Sequence, residues 1–393
     1  MIERDLAPLL LRSAGWYPVV TVTGPRQSGK TTLVRAAFPH LPYVSLEPLD
    51  VRGAAQEDPR GFLADHPDGA VIDEVQHVPD LLAYLQTEVD ERPEPGRFVL
   101  TGSQHLGLSR AVTQSLAGRT AVLYLHPLSY AELLRFPQPP TDLWQTVWAG
   151  SFPRIWDAEI PADRWLADYA TTYVERDVRQ VLGVGDLSTF RTFTELCAGR
   201  TAQELSLDAL GSDAGVARGT ARSWLSVLET TFLVLRLPAW SPNARKRAIK
   251  APKLHMADTG LACHLLGIRT PEQLRLHPLR GALFESWVAT EIRKARTNRG
   301  VDAGLAHYRE PRGVEVDLVV TESLHTTLVE VKSGATIASD WFGPLRDLLG
   351  RDWDPAAAPS AVLVHGGELT QRRHGVQVQP WRTLHELSWT TLD

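Results

Sequence analysis

The segment GPRQSGKT, residues 24–31, directly follows the apolar run VVTVT and precedes a stretch of helical pattern. No other feature restricts the fold as much. A G-x-x-x-x-G-K-[ST] loop works when a buried strand delivers it and a helix begins near its lysine. Gly24 and Gly29 then let the backbone turn tightly and aim its N–H groups at phosphate oxygens. The helix amino terminus adds a favourable dipole. Gly24, Pro25, Arg26, Gln27, Ser28, Gly29, Lys30, Thr31 and Thr32 are therefore read as an ATP-binding loop. Lys30 would reach the β and γ phosphates, and the Thr31 hydroxyl would hold Mg²⁺.

Two later runs fit the same site. AVIDE (70–74) is an apolar strand ending in two carboxylates. Asp73 suits the Mg²⁺ shell, and Glu74 is placed to polarise the attacking water. RFVLTGS (97–103) is a second buried strand ending in hydroxyls, where a γ-phosphate sensor would sit; Ser103 is the first choice and Thr101 the alternative. In SLAGRT (115–120), Arg119 is read either as an arginine finger, in cis or in trans, or as a surface arginine. The lysine before a hydroxyl, the Asp-Glu pair and the polar strand end resemble AAA-type ATPases.

A chain of 393 residues is too long for one core, so two or three domains are expected. The short strands alternating with helical stretches up to about residue 136 predict a parallel α/β sheet, and FPQPPTD (136–142) reads as a linker. The boundaries expected are 1–138 for an ATPase domain, 139–269 for a helical and winged-helix-like domain, and 270–393 for a carboxyl-terminal α/β domain. A net charge of -5 argues against a polycation that coats nucleic acid or membrane, while leaving room for a local basic groove. Two cysteines cannot build a disulfide scaffold, so reduced core thiols are expected. The amino-terminal stretch does not read as a signal peptide, and no apolar run is long enough to span a bilayer. A soluble, cytoplasmic protein is the expectation.

In the middle, Trp144, Trp148, Trp156 and Trp165 fall at helical spacings and read as an aromatic core. Residues 203–238 read as helix, glycine turn, helix, strand, which resembles a winged helix-turn-helix with Arg218 and Arg222 on the exposed side of its second helix. Arg245, Lys246, Arg247, Lys250 and Lys253 follow where a wing would lie, and such a run suits a DNA backbone; a protein-docking hairpin is the competing reading.

The carboxyl-terminal part carries VEVDLVV (314–320) and LVEVKS (328–333). Alternation along a strand puts Glu330 and Lys332 on one side, and a hairpin would bring Asp317 to them. Glu285, on FESWVATEI, is a fourth candidate. Asp317 and Glu330 could bind Mg²⁺ at a scissile phosphate while Lys332 stabilises developing charge. This order of helix with Glu, strand with Asp, then E-x-K looks like the PD-(D/E)XK signature, with Val316 where the proline would stand.

The chain as a whole resembles a prokaryotic family of AAA-type ATPases joined to a carboxyl-terminal restriction-endonuclease-like domain. The likeness runs through GPRQSGKTTL, VSLEPLD, VIDEVQHVP, LTGSQ, SLAGR, PLSYAEL, GSFPR, YVERDV, KLHMADTGL, GALFESWVATEI, YREPRGVEVDLVV and LVEVKSG, in that order. It departs at Ser151, where a second glycine is expected. The resemblance implies ATP binding and hydrolysis, an AAA-like fold and a tendency of such ATPases to assemble. Two roles follow as expectations: an Mg²⁺-dependent ATPase whose nucleotide state controls a DNA-directed module, or an ATP-driven switch that binds a protein partner through an inactive nuclease-like scaffold.

Overall fold

A computed structural model describes the chain except for residues 1, 104–114, 159, 175–186, 242–250, 311–312, 324, 352, 354–357 and 391–393. It divides into two compact units. The first is Met1–Leu128 with Thr230–Phe232 and Thr297–Gly300; the second is Ser129–Glu229 with Leu233–Arg296 and Val301–Asp393.

The first unit runs α1 (Ala7–Ala14), β1 (Val19–Thr23), α2 (Lys30–Ala37), β2 (Tyr43–Ser45), α3 (Leu49–Glu57), α4 (Pro59–Ala64), β3 (Ala70–Asp73), α5 (Leu81–Glu91), β4 (Phe98–Gly102) and β5 (Thr120–Tyr124). Its strands form one parallel sheet in the order β2-β3-β4-β1-β5. Every residue of β1, β3 and β4 is buried, which is why these runs are continuously apolar rather than alternating. Successive side chains still divide between two faces. Val19, Ile72, Phe98 and Leu100 pack with Phe62, Leu81 and Leu85, while Val20, Val22, Val71 and Val99 pack with Leu10, Leu33 and Val34. Each such side chain contributes about 1.5–3 kcal/mol by leaving water. The central strands, and the loops at their carboxyl ends, are fixed by this two-sided cover.

The second unit begins with α6 (Tyr130–Leu133), α7 (Leu143–Ala149), α8 (Pro153–Asp157) and α9 (Ala162–Tyr169). Trp165 and Tyr169 stack with ring centroids 4.9 Å apart beside Phe152, whereas Trp144, Trp148 and Trp156 are only half-buried, so of the four tryptophans Trp165 alone sits in this aromatic core. Next come α10 (Leu187–Gly199), β6 (Gln203–Glu204), α11 (Leu207–Asp213), α12 (Arg218–Thr230), β7 (Val234–Leu237) and β8 (Lys253–Met256). The strands of this segment make a small sheet in the order β6-β8-β7.

The remainder is α13 (Thr259–Leu265), α14 (Pro271–Leu276), α15 (Arg280–Thr297), β9 (Leu305–Arg309), β10 (Glu315–Glu322), β11 (His325–Lys332), α16 (Gly343–Leu349), β12 (Ser360–His365), β13 (Gln371–Arg373) and β14 (Val376–Pro380). Six strands form a mixed sheet, β13-β14-β12-β11-β10-β9, with β10 and β11 as an antiparallel hairpin. Leu345, Leu348 and Phe342 cover one face through Val316, Val319, Leu328 and Leu363.

Residues 139–269 and 270–393 lie in this one unit apart from Thr230–Phe232 and Thr297–Gly300, and backbone pairing joins them as much as side-chain packing. The chain leaving β7 runs on beside β9: His307 N–H donates to Pro238 O at 3.0 Å and Trp240 N–H to His307 O at 2.6 Å. Buried polar groups knit the segments further. Asp258 caps α13 through Leu261 N–H and accepts both the N–H and the hydroxyl of Ser151 at 2.8 Å. Lys294 donates to Ser151 Oγ at 3.2 Å and to Glu291 at 2.8 Å. Ser151 therefore supplies a hydroxyl to this network that a glycine would lack. Its neighbour Gly150 has φ +71° and lies so close to Asp258 that a Cβ would come within 2.4 Å of Oδ1.

Candidate functional site

The strand order sets the chemistry of the first unit. β4 lies between β1, which delivers the glycine loop, and β3, which delivers Asp73. Gly24 leaves β1 with φ +152° and passes the Leu125 carbonyl so closely that a Cβ would sit 2.2 Å from it. Gln27 takes a left-handed conformation at φ 61°, and Gly29 does so at φ 94° as the amino-terminal cap of α2. Lys30, 6% exposed, folds back along the loop and donates to Gly24 O at 3.0 Å and Pro25 O at 2.9 Å. Arg4 clamps the loop from outside, donating to Ser28 O at 2.7 Å and His126 O at 2.8 Å. The buried Ser28 hydroxyl has no partner among the described residues.

Asp73 is the hub of the second half. Thr31 donates to its Oδ2 at 2.9 Å, Tyr43 to the same oxygen at 2.6 Å, and Thr101 to Oδ1. Burial and the Asp73 carboxylate push the Tyr43 phenol up to about 12, so it stays a proton donor. Glu74 follows in a left-handed conformation, φ 58° and ψ 41°. A non-glycine residue held there stores strain of about 1–3 kcal/mol. The turn directs its carboxylate to the Ser103 hydroxyl, which donates at 3.0 and 3.2 Å, and to the Gln76 amide. Thus Lys30, Thr31, Asp73, Thr101, Glu74 and Ser103 come together, with Ser103 on the glutamate and Thr101 on the aspartate.

Arg119 does not join them. Its backbone carbonyl accepts from Val19 N–H at the opposite end of β1 from the loop, about 15 Å away at ~3.3 Å per residue. There its guanidinium pairs with Asp90 in a two-pronged contact. A finger acting on the nucleotide of the same chain is thereby removed; burial is modest and the contact is that of a surface ion pair.

In the second unit, Glu285, Asp317, Glu330 and Lys332 do converge, helped by a β-bulge in β10 between Val316 and Val319. Asp317 Oδ2 accepts Val331 N–H at 2.8 Å, and Lys332 donates to Glu330 Oε1 at 2.5 Å. Glu330 is 4% exposed, and its Oε2 has no partner among the described residues. Burial and then Asp317 push its carboxyl up to about 8, against the pull of Lys332. Burial and Asp317 likewise raise Glu285 well above the carboxylate range.

One residue changes the expected arrangement. Lys253, read from sequence as part of a basic wing, is 2% exposed and cannot meet a phosphate backbone. Its ammonium lies 2.9 Å from Glu315 Oε1, 3.1 Å from Glu285 Oε1 and 3.8 Å from Asp317 Oδ1. Lys253 thus stands beside the expected Mg²⁺ pair Asp317 and Glu330, and among the described residues no group of three or more carboxylates, histidines or cysteines is arranged to hold a metal ion. Arg245, Lys246, Arg247 and Lys250 lie outside the described residues. Arg218 and Arg222 are exposed on α12, with Arg218 3.3 Å from Asp208. Cys197 and Cys263 are free and buried, and burial pushes the Cys197 thiol up to about 12, which makes it inert.

Sequence reading missed Tyr43, Arg4 and the true place of Lys253. Tyr43 borders the segment VSLEPLD of the family likeness and Lys253 opens KLHMADTGL, but neither carries a motif of its own. No helix among the described residues is long and apolar enough to cross a membrane.

Three family models match the chain: an AAA domain over residues 17–134, and domains of unknown function DUF8612 over 140–272 and DUF4143 over 280–384. With the loop geometry above, the first match makes the amino-terminal region an AAA-type P-loop ATPase domain that binds ATP. The uncharacterized proteins Rv2008c of Mycobacterium tuberculosis and Mb2031c of Mycobacterium bovis are each 33% identical over 340 residues, 85% of this chain and 74% of theirs. Among solved structures, the Walker-type ATPase PABY2304 of Pyrococcus abyssi matches 67% of this chain and 96% of its own at 15% identity and TM-score 0.46. AMPPCP-bound DnaA from Aquifex aeolicus matches 57% and 86% at 15% identity and TM-score 0.29. At those scores neither adds to the assignment.

Proposed function

The chain belongs to the family of the two mycobacterial proteins, and from that premise we propose that it is an Mg²⁺-dependent ATPase whose nucleotide state sets how its second unit holds DNA. The observation that carries the ATPase half is the convergence of Lys30, Thr31, Asp73 and Glu74 around the glycine loop. The loop fits a phosphate chain, since its backbone turns at Gly24 and Gly29 and the Ser28 hydroxyl is buried without a partner. Thr31 with Asp73 would hold Mg²⁺, which supplies charge neutralisation on the β and γ phosphates when bound. Lys30 leaves the loop carbonyls for phosphate oxygens. Glu74, aimed by Ser103, draws the proton from the attacking water, and the Ser103 hydroxyl keeps that carboxylate in line. Tyr43 and Thr101 orient Asp73 through their hydrogen bonds.

The DNA half rests on the second unit. The order α10-β6-α11-α12-β7-β8, with its β6-β8-β7 sheet, supports a winged-helix reading, and α12 carries the exposed Arg218 and Arg222. The bulged β10–β11 hairpin with Glu285, Asp317, Glu330 and Lys332 supports an endonuclease-like module. A second reading has a specific observation behind it: Lys253 among the carboxylates favours an inactive scaffold in a switch that a protein partner reads. ATP turnover measured with and without single-stranded, duplex and branched DNA separates the two. The DNA reading expects a several-fold change in rate; indifference to every form would sink it and leave the switch.

A further inference from the structure

Lys253 opens β8, a strand paired on both sides, with Leu237 opposite on β7 and Glu204 on β6. The pairing fixes its backbone, and its side chain, 3% exposed, reaches Glu285 on α15 and Glu315 and Asp317 on β10. A lysine is rarely buried so completely unless its charge is matched. Glu285, Glu315 and Asp317 supply that match around the buried ammonium.

An ammonium offers three donors in a compact point charge; here Glu315 and Glu285 oxygens at 2.9 and 3.1 Å take two of them, and Asp317 at 3.8 Å adds charge. A small divalent ion asks for the same oxygens at about 2.0–2.1 Å. The two cannot share one place, because like charges at such spacing repel strongly. Two further oxygens of the cluster are committed elsewhere. Asp317 Oδ2 is on Val331 N–H, Glu330 Oε1 is on Lys332, and Glu330 Oε2 meets no partner among the described residues. His255 is a buried neighbour of the cluster, with its Nδ1 bonded to Ser286 and its Nε2 4.0 Å from Glu285 Oε1.

We propose that Lys253 is the resident cation of this cluster, standing where a divalent ion would, so that the module as folded takes up no metal and cleaves no phosphodiester. The inference rests on reading the cluster as endonuclease-like.

The test uses Mn²⁺ as the probe on the full chain without nucleotide, in an Asp73→Ala background that removes metal binding at the loop. Free Mn²⁺ is followed by electron paramagnetic resonance, and thermal unfolding is recorded with and without the ion. The parent is expected to bind Mn²⁺ only weakly and to gain no stability from it. Adding Lys253→Met removes the ammonium with little change in volume. That protein is expected to gain one site at least about tenfold tighter, a difference of ~1.4 kcal/mol, and to unfold at higher temperature with the ion. Asp317→Asn on top should abolish the gain. Tight binding by the parent that is lost on Asp317→Asn overturns the proposal, as does Mg²⁺- or Mn²⁺-dependent cutting of DNA by the wild type that is lost on Asp317→Ala. A folded Lys253→Met protein with no added site, or one that stays unfolded even in Mn²⁺, also overturns it, since the metal then fails to replace the ammonium. Failure of DNA to affect ATP turnover would sink the DNA reading and leave this result standing.

Discussion

Glu74→Gln isolates the step that makes the first unit an ATPase. The amide has the shape of the carboxylate and keeps an oxygen for the Ser103 hydroxyl, which lies 3.0 and 3.2 Å from the two carboxylate oxygens. It loses the acceptor that faces the Gln76 amide, at a cost of about 1 kcal/mol in local order. It loses the proton acceptor altogether. General-base removal costs ~10²–10⁴ in rate, which is about 3–5 kcal/mol of barrier at ~1.4 kcal/mol per decade. Glu74 is not part of the phosphate-cradling loop, so ATP affinity should stay within about threefold. Single-turnover hydrolysis and equilibrium binding of a fluorescent ATP analogue read the two quantities separately. Ser103→Ala, which only frees the carboxylate, should slow hydrolysis by about tenfold. Hydrolysis by Glu74→Gln within tenfold of wild type, or a matching collapse of affinity, would refute the assignment.

Other expectations follow from the same geometry. Gly24→Ala would press a methyl to 2.2 Å from the Leu125 carbonyl, so nucleotide binding should be lost and the unfolding midpoint should fall by several degrees in a thermal scan. Arg119→Ala removes a surface pair with Asp90 and a bond to Ala117 O, so a dilute monomer should hydrolyse ATP within about twofold of wild type and keep its denaturant midpoint nearly unchanged. For Glu330, the folded carboxyl keeps its proton up to about 8 against an ordinary 4.5. The folded state therefore binds the proton more tightly, and this contribution is full below 4.5 and lost as pH rises towards 8. Wild-type stability relative to Glu330→Gln should fall by a few kcal/mol across that window, which thermal unfolding at stepped pH reads directly.

The parts legible in the sequence are those whose physics is local. VVTVT, AVID and FVLTG read as buried parallel strands because each is a short apolar run, and the glycines after the first carry their own conformational demand. The β2 edge strand is three residues with no pattern, so Tyr43 gave no sign that its hydroxyl lies on Asp73, 30 positions away. Arg4 reaches the loop across 24 positions for the same reason. Alternation placed Glu330 and Lys332 on one side of β11, and they pair there. It could not show that Glu330 is buried, nor that a bulge re-aims β10 beside Asp317. Lys253 illustrates the limit best. In a run of cations, sequence cannot say which one turns inward; that is decided by β8 being paired on both sides and by three carboxylates from α15 and β10. The run of chain beside β9 through Trp240 likewise has no sequence signal, which is why the middle and carboxyl-terminal segments read as separate but lie in one unit.

The central claim is coupling between nucleotide state and DNA, and coupling of binding is reciprocal: if DNA alters the affinity for ATP, ATP must alter the affinity for DNA by the same factor. The direct measurement is fluorescence anisotropy of labelled duplex and branched DNA with the Glu74→Gln protein, which holds ATP without turning it over, compared in saturating ATP, saturating ADP and no nucleotide. The account predicts affinities that differ by at least about fivefold, or ~1 kcal/mol, between the ATP and ADP states, with the difference abolished by Lys30→Ala. Equal affinity in all three states, or no DNA binding at moderate salt, would contradict it.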